Sequence, residues 1–290
     1  MNYIYTPEEA RSIANALSKF LKSRGFTVNI DEALNDDAPC STTLIAKRAE
    51  LSILFEAQNQ VSCEEHLKDL ALWLNNHRFY AELFIATHRD MTFSGAFLKQ
   101  LDQTGIGLIL VEDSGSVKIE RQPRNPALVV CPEPTFRFGI YKQDVKNILA
   151  QFNQYNSFLS ADNPRKHALR DMCELVEGLT EEVALAASKK GFLNRSEERI
   201  TNMKWIDQIN ALAAQDAYLG GQRPFVQEAL KIDLHSFRGA RNLVDHNVRS
   251  AREEARRQKQ FAERMMMGPR LVADLVSIKS IIARKKKLGP

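Results

Sequence analysis

Along the first 120 residues the apolar positions change period several times, and each change marks an element. Ile13, Leu17, Phe20 and Leu21 recur at helical spacing. Thr6-Pro7-Glu8-Glu9 supplies a start signal: a cap residue, a proline at the first helical position and acids in the first turn. Gly25 closes the helix. Residues 26–30 alternate as a strand does, and residues 42–46 form a second. Lys47-Arg48-Ala49-Glu50 is a tight connection into a third strand over 51–56. Residues 63–78 return to helical period through Leu67, Leu70 and Leu74. Residues 83–86 are a short buried strand, 93–102 a short helix, and 106–111 another buried strand. After the Ser114-Gly115 turn, residues 117–119 make an edge strand. This order predicts an α/β mixed sheet flanked by helices on both faces.

Residues 122–140 break the pattern with Pro123, Pro126, Pro132 and Pro134, because proline fixes φ and removes a backbone donor. Beyond them no strand pattern appears. Helical periods occupy 141–156, 164–188, 196–216, 222–232 and 240–267. Gly268-Pro269 is expected to stop the long one, and a short amphipathic helix over 270–283 precedes the Arg284-Lys285-Lys286-Lys287 tail. The expected organisation is an α/β domain over 1–122, a linker and connecting helix over 123–159, and an all-α helical bundle over 160–290.

Composition narrows the setting. No apolar run approaches the ~18 residues of a membrane span, and the first residues lack the basic-then-apolar order of a secretory signal. Cys40, Cys63, Cys131 and Cys173 are scattered and read as buried thiols of a reducing, cytoplasmic compartment. Cys63 and His66 have C-x2-H spacing but no second pair to complete a zinc site, so no metal is expected. The net charge of +4 is divided unevenly: residues 231–290 carry +9 and the preceding 230 carry −5. A basic end on an acidic body suits a polyanionic partner, or forms a solvated helix face.

The segment Arg241-Asn242-Leu243-Val244-Asp245-His246 reads R-N-x3-H. These residue types fit RNA cleavage without metal. His246 can take the proton of a 2′-hydroxyl, since imidazole titrates near neutrality. Arg241 can hold the scissile phosphate and offset the charge that builds on it. Asn242 lies four residues before His246, on the same helix face, where its amide can fix the imidazole tautomer. Arg241 and His246 are five apart, roughly 140° around a helix, so a second copy of the segment is needed to bring the two chemistries together. Arg238, Arg249 and Arg252 are candidate RNA phosphate contacts, and His235 lies on the approach. Met265-Met266-Met267 reads as core or dimer interface.

The segment resembles the R-x4-H signature of the HEPN ribonucleases, including the polar residue directly after the arginine. The helical setting of 160–285 agrees, as do the acids Asp171, Glu174 and Glu177 on its first helix. The resemblance implies a homodimer with a composite cleft, metal-independent cleavage of RNA with no cofactor, and a toxin–antitoxin or anti-phage defence setting with a partner protein.

Residues 7–119 resemble, in element order, the PD-(D/E)XK nucleases of the restriction-endonuclease-like branch. That family places an Asp at the second strand and E-x-K at the third, because hard cations need anionic oxygens. Here Ser41-Thr42-Thr43 stands at the first position and Glu56-Ala57-Gln58 at the second. Glu56 matches, the Asp and Lys do not, and Asp36 or Asp37 are the candidates to substitute. The resemblance implies a degenerate nuclease scaffold with Glu56 and Gln58 as its remnant. Two further readings stay open: a metal-dependent DNA nuclease centred on Glu56, and a non-catalytic nucleic-acid-binding regulatory subunit.

Overall fold

The computed structural model describes residues 8–60, 62–112, 114–154, 156–160, 164–214, 224–245 and 251–286. Helix α1 (Arg11–Ser23) buries Ile13, Ala14, Leu17 and Leu21, and Gly25 at φ 80° turns the chain out of it. Six strands follow: β1 (Thr27–Ala33), β2 (Ser41–Arg48), β3 (Leu51–Ala57), β4 (Ala81–His88), β5 (Gly107–Val111) and β6 (Val117–Arg121). They lie in one sheet in chain order, β1-β2-β3-β4-β5-β6. The first three pair antiparallel, β3–β4 and β4–β5 pair parallel, and β6 returns antiparallel. Parallel neighbours need a crossover. Helix α2 (Glu65–His77) supplies the first and α3 (Gly95–Thr104) the second.

Strand alternation sorts the central residues onto two faces. Ala46, Ile53, Phe55, Phe84, Ala86 and Ile109 pack with α1. Ile45, Leu54, Leu83, Ile85 and Leu108 pack with Leu67, Leu70 and Leu74 of α2 and with Phe97 and Leu101 of α3. The β2–β3 connection is tighter than the sequence suggests. Strand pairing runs to Arg48↔Leu51, and Ala49 takes the left-handed conformation at φ 54°.

The second half is helical: α4 (Lys142–Asn153), α5 (Pro164–Lys189), α6 (Glu197–Thr201), α7 (Trp205–Ala213), α8 (Glu228–Asp245) and α9 (Ala251–Arg284). Its core joins Leu169, Met172, Val176, Leu179 and Val183 of α5 to Leu234, Phe237 and Ala240 of α8. Phe261, Met265, Leu271 and Leu275 of α9 complete it. Trp205 Nε1–H donates to Thr180 Oγ1 at 3.2 Å inside this core.

Three expectations are corrected here. Gly268-Pro269 does not stop the last long helix, because α9 runs through Pro269. The proline removes one backbone bond, but Phe261 and Met265 before it and Leu271, Val272 and Leu275 after it are buried in the same core. Gly268 also admits Met172, whose Cγ lies 2.5 Å from where a Cβ would stand. The single helix expected over 196–216 is two, α6 and α7, separated at residues 202–204. The separate helices expected over 222–232 and from 240 are one, α8, since Leu234, Phe237 and Ala240 continue its buried stripe across Gly239.

The described residues fall into two compact units. The sheet unit comprises Met1–Val129, Tyr155–Asp162 and Val248–Arg256; the helical unit comprises Val130–Gln154, Asn163–Asn247 and Arg257–Pro290. The expected linker over 123–159 is therefore divided. Helix α4 packs on α5 through Val145, Ile148, Leu149 and Phe152, whereas residues 156–160 return to the sheet unit. All four cysteines are free and buried. Among the described residues no helix is long and apolar enough to cross a membrane.

Candidate functional site

In the helical unit the site forms on the last turns of α8. Arg241 and Asn242 are both exposed. The Arg241 guanidinium donates to Glu177 Oε2 of α5 at 2.7 Å; the side chains are 55% and 31% exposed. Arg238 lies one turn earlier on the same face, half-buried, with its Nε enclosed and without a hydrogen-bond partner among the described residues. One further turn back, the His235 ring meets Asn210 Oδ1 at 3.2 Å. Burial lowers the pKa of this imidazole, and the Arg238 and Lys231 charges lower it further. The face thus runs Lys231, His235, Arg238, Arg241, a basic stripe at i, i+4, i+7 and i+10. Lys231 is partnered by Glu228 at 3.6 Å, and Arg241 by Glu177.

The ion pair has a chemical meaning. A guanidinium held on one side by a carboxylate keeps free donors on the other and stays oriented for bidentate contact with a phosphate. Asp171 and Glu174, the other acids expected beside it, are exposed on α5. His246 and Arg249 lie outside the described residues. Arg252 belongs to α9, with its side chain outside the description.

In the sheet unit the Glu56 carboxylate is buried on the α2 face of β3. Its Oε2 accepts the Thr43 N–H at 3.2 Å, and Thr43 Oγ1 accepts the Ala57 N–H at 3.1 Å. Burial pushes its pKa up to about 7 against the lowering effect of the Thr43 bonds, and Glu64 and Asp31 add to the rise. Gln58 is buried too: its Oε1 accepts from the Ser62 N–H at 3.1 Å, while Nε2 has no partner among the described residues. The donor set does not fit a divalent ion. Among the described residues no three His, Cys, Asp or Glu side chains converge, and one half-protonated carboxyl beside a neutral amide supplies too little anionic oxygen. Asp36 and Asp37 are exposed in the turn after β1, and the acids that act on Glu56 are Glu64 and, from β1, Asp31 at φ 53°.

Sequence reasoning missed one buried carboxyl altogether. Glu82 of β4 is fully buried on the α1 face. It accepts the Ser157 hydroxyl at 2.7 Å and the Phe158 N–H at 3.0 Å. Burial raises its pKa to about 8. Arg24 Nη1 donates to the Leu159 carbonyl at 2.9 Å, so residues 157–159 are strapped to the sheet unit at two points. A glutamate inside an otherwise apolar strand was the only signal available.

No family model, no curated protein and no solved structure matches the chain.

Proposed function

We propose that the protein is a metal-independent endoribonuclease of the HEPN type, acting as a homodimer. The observation that supports this best is Arg241 on the exposed end of α8, oriented by Glu177, with Arg238 one turn before it. Asn242 stands four residues before His246 in the same R-N-x3-H run. In this reading His246 takes the 2′-hydroxyl proton and the freed oxygen attacks the adjacent phosphorus. The 5′-oxygen leaves and takes a proton from water, giving a 2′,3′-cyclic phosphate, and the imidazolium then returns its proton to water. Arg241 offsets the charge that develops on the phosphoryl oxygens, and Arg238, Arg249 and Arg252 hold neighbouring phosphates. The facing copy supplies the proximity that a five-residue spacing denies within one chain.

The sheet unit enters this proposal as a restriction-endonuclease-like scaffold without metal chemistry, since the Glu56 carboxyl is committed to the Thr43 backbone. It is a platform for a partner protein or nucleic acid, in a toxin or anti-phage defence setting.

The test is cleavage of single-stranded RNA by the full chain in excess chelator. Arg241→Ala and His246→Ala are each expected to lower the rate by about 10²–10³, the range for losing one charge-stabilising donor. Cleavage that requires Mg²⁺ and survives both substitutions rejects the proposal and favours the sheet unit as the active part. Salt-sensitive binding without turnover favours a regulatory subunit.

A further inference from the structure

At the far end of α5 three chain segments meet. Lys190 Nζ donates to the carbonyls of Ala283 at 3.2 Å and Lys285 at 2.9 Å, tying the end of α9 to the end of α5. Ser188 Oγ donates to the Arg195 carbonyl at 2.7 Å, folding the following loop back onto the same helix end. The result gathers Lys189, Lys190, Arg195, Arg284, Lys285 and Lys286. No acid occurs from residue 183 to 196 or from 275 to 286. Glu197 lies 3.3 Å from Lys189.

Part of this charge answers a local need, because the carbonyl end of a helix is equivalent to about half a negative charge. Lys190 is spent on the tie between the two helix ends, and Arg195 reaches Met203, which leaves the cations at the surface of this end of the bundle as the part that faces solvent. Lys189, Arg284 and Lys286 are exposed.

We propose that this cluster is a second nucleic-acid contact, an anchoring surface for the phosphodiester backbone of single-stranded RNA, separate from the Arg241 stripe. The inference rests on the reading of the chain as an RNA-acting protein and names where the substrate strand is held. Its partner is a polyanion of closely repeated charge, which several cations engage at once. The span suits that role. Glu177, which holds Arg241, lies twelve residues before Lys189 on α5, about 18 Å along the axis at 1.5 Å per residue. At ~3.4 Å per stacked nucleotide that is about five phosphates.

The experiment uses the full chain carrying His246→Ala, so that RNA is bound and not cut. A fluorescein-labelled 20-nucleotide RNA is titrated by anisotropy over a series of salt concentrations, in chelator. The triple variant Lys189→Gln, Arg284→Gln, Lys286→Gln leaves the Lys190 tie in place, and circular dichroism and a thermal midpoint check that it folds. Three lost phosphate contacts predict a slope of log K against log salt shallower by about 2, and affinity at low salt down roughly tenfold or more. Lys189→Arg with Lys286→Arg keeps the charge and is expected to keep parent affinity. Equal slope and affinity in parent and triple variant, or no RNA binding by the parent at low salt, overturns the proposal. So does a triple variant that loses binding to phosphatidylserine vesicles while RNA binding is unchanged, which reassigns the cluster to a lipid surface. Failure of chelator-resistant cleavage with RNA binding intact bears on the Arg241 site and not on this one.

Discussion

Glu82→Gln isolates the proton that the sheet unit stores. In the folded protein this carboxyl ionises near pH 8, against 4.5 for a free one. Between those values the folded chain holds a proton that the unfolded chain has released, so stability falls as pH rises, by about 1.4 kcal/mol per pH unit. The contribution is complete below pH 4.5 and lost by pH 8, about 5 kcal/mol in all for a group with no solvent access. Glu56 acts with the same sign, but it contributes equally to the parent and to Glu82→Gln, so the difference between the two proteins belongs to Glu82. Glutamine keeps an oxygen for the Ser157 hydroxyl and the Phe158 N–H. Burying its amide shifts the whole curve by a constant amount and leaves the slope untouched. Urea unfolding midpoints of both proteins, taken at half-unit steps from pH 5 to 8.5, measure the slope directly. The parent is expected to lose stability relative to the variant as pH rises through this range. Curves that stay parallel from pH 5 to 8.5 would refute a proton held at this position.

Other outcomes follow from the same geometry. Arg241→Ala removes an ion pair at the surface and should change unfolding stability by less than about 1 kcal/mol while abolishing most RNA cleavage; a large loss of stability would make the arginine structural. Pro269→Ala restores the missing backbone donor inside α9 and should stabilise by about 1–3 kcal/mol in urea unfolding; destabilisation would show that the helix needs its proline. Gly107→Ala places a Cβ 2.6 Å from a ring carbon of the buried Phe84, a clash expected to cost about 1–3 kcal/mol, read as a lower thermal midpoint. The thiols of Cys40 and Cys131 are pushed up by burial to about 11, so a disulfide reagent at pH 8 should modify them only in denaturant.

Much of the sheet unit was legible because strands announce themselves twice, by alternation and by the turns that bound them. Residues 42–46 and 51–56 each sit within a strand of the structure, and 106–111 match β5 but for Ile106. The helical unit was legible in kind and less so in its joints. Gly268-Pro269 reads locally as a stop, and only the buried residues on either side, packed against α5, carry α9 through it. Arg241 could be singled out because the R-N-x3-H run that draws attention to it is local in the chain. Its bond to Glu177 crosses 64 residues, so the acid could be suspected but not paired. Glu82 was out of reach, since its partners lie 75 and 76 residues further on. Asp31 escaped because nothing in residues 26–30 signals a left-handed backbone at the next position.

The strand order has a consequence for how the protein is made. Each strand pairs with the one synthesised just before it, so none has to wait for a gap to be filled by a later segment. The sheet can extend edge by edge as the chain leaves the ribosome, with little loop-closure entropy at each step. Its exposed growing edge is never more than one strand from being covered, which limits the time during which a nascent chain offers a template for aggregation.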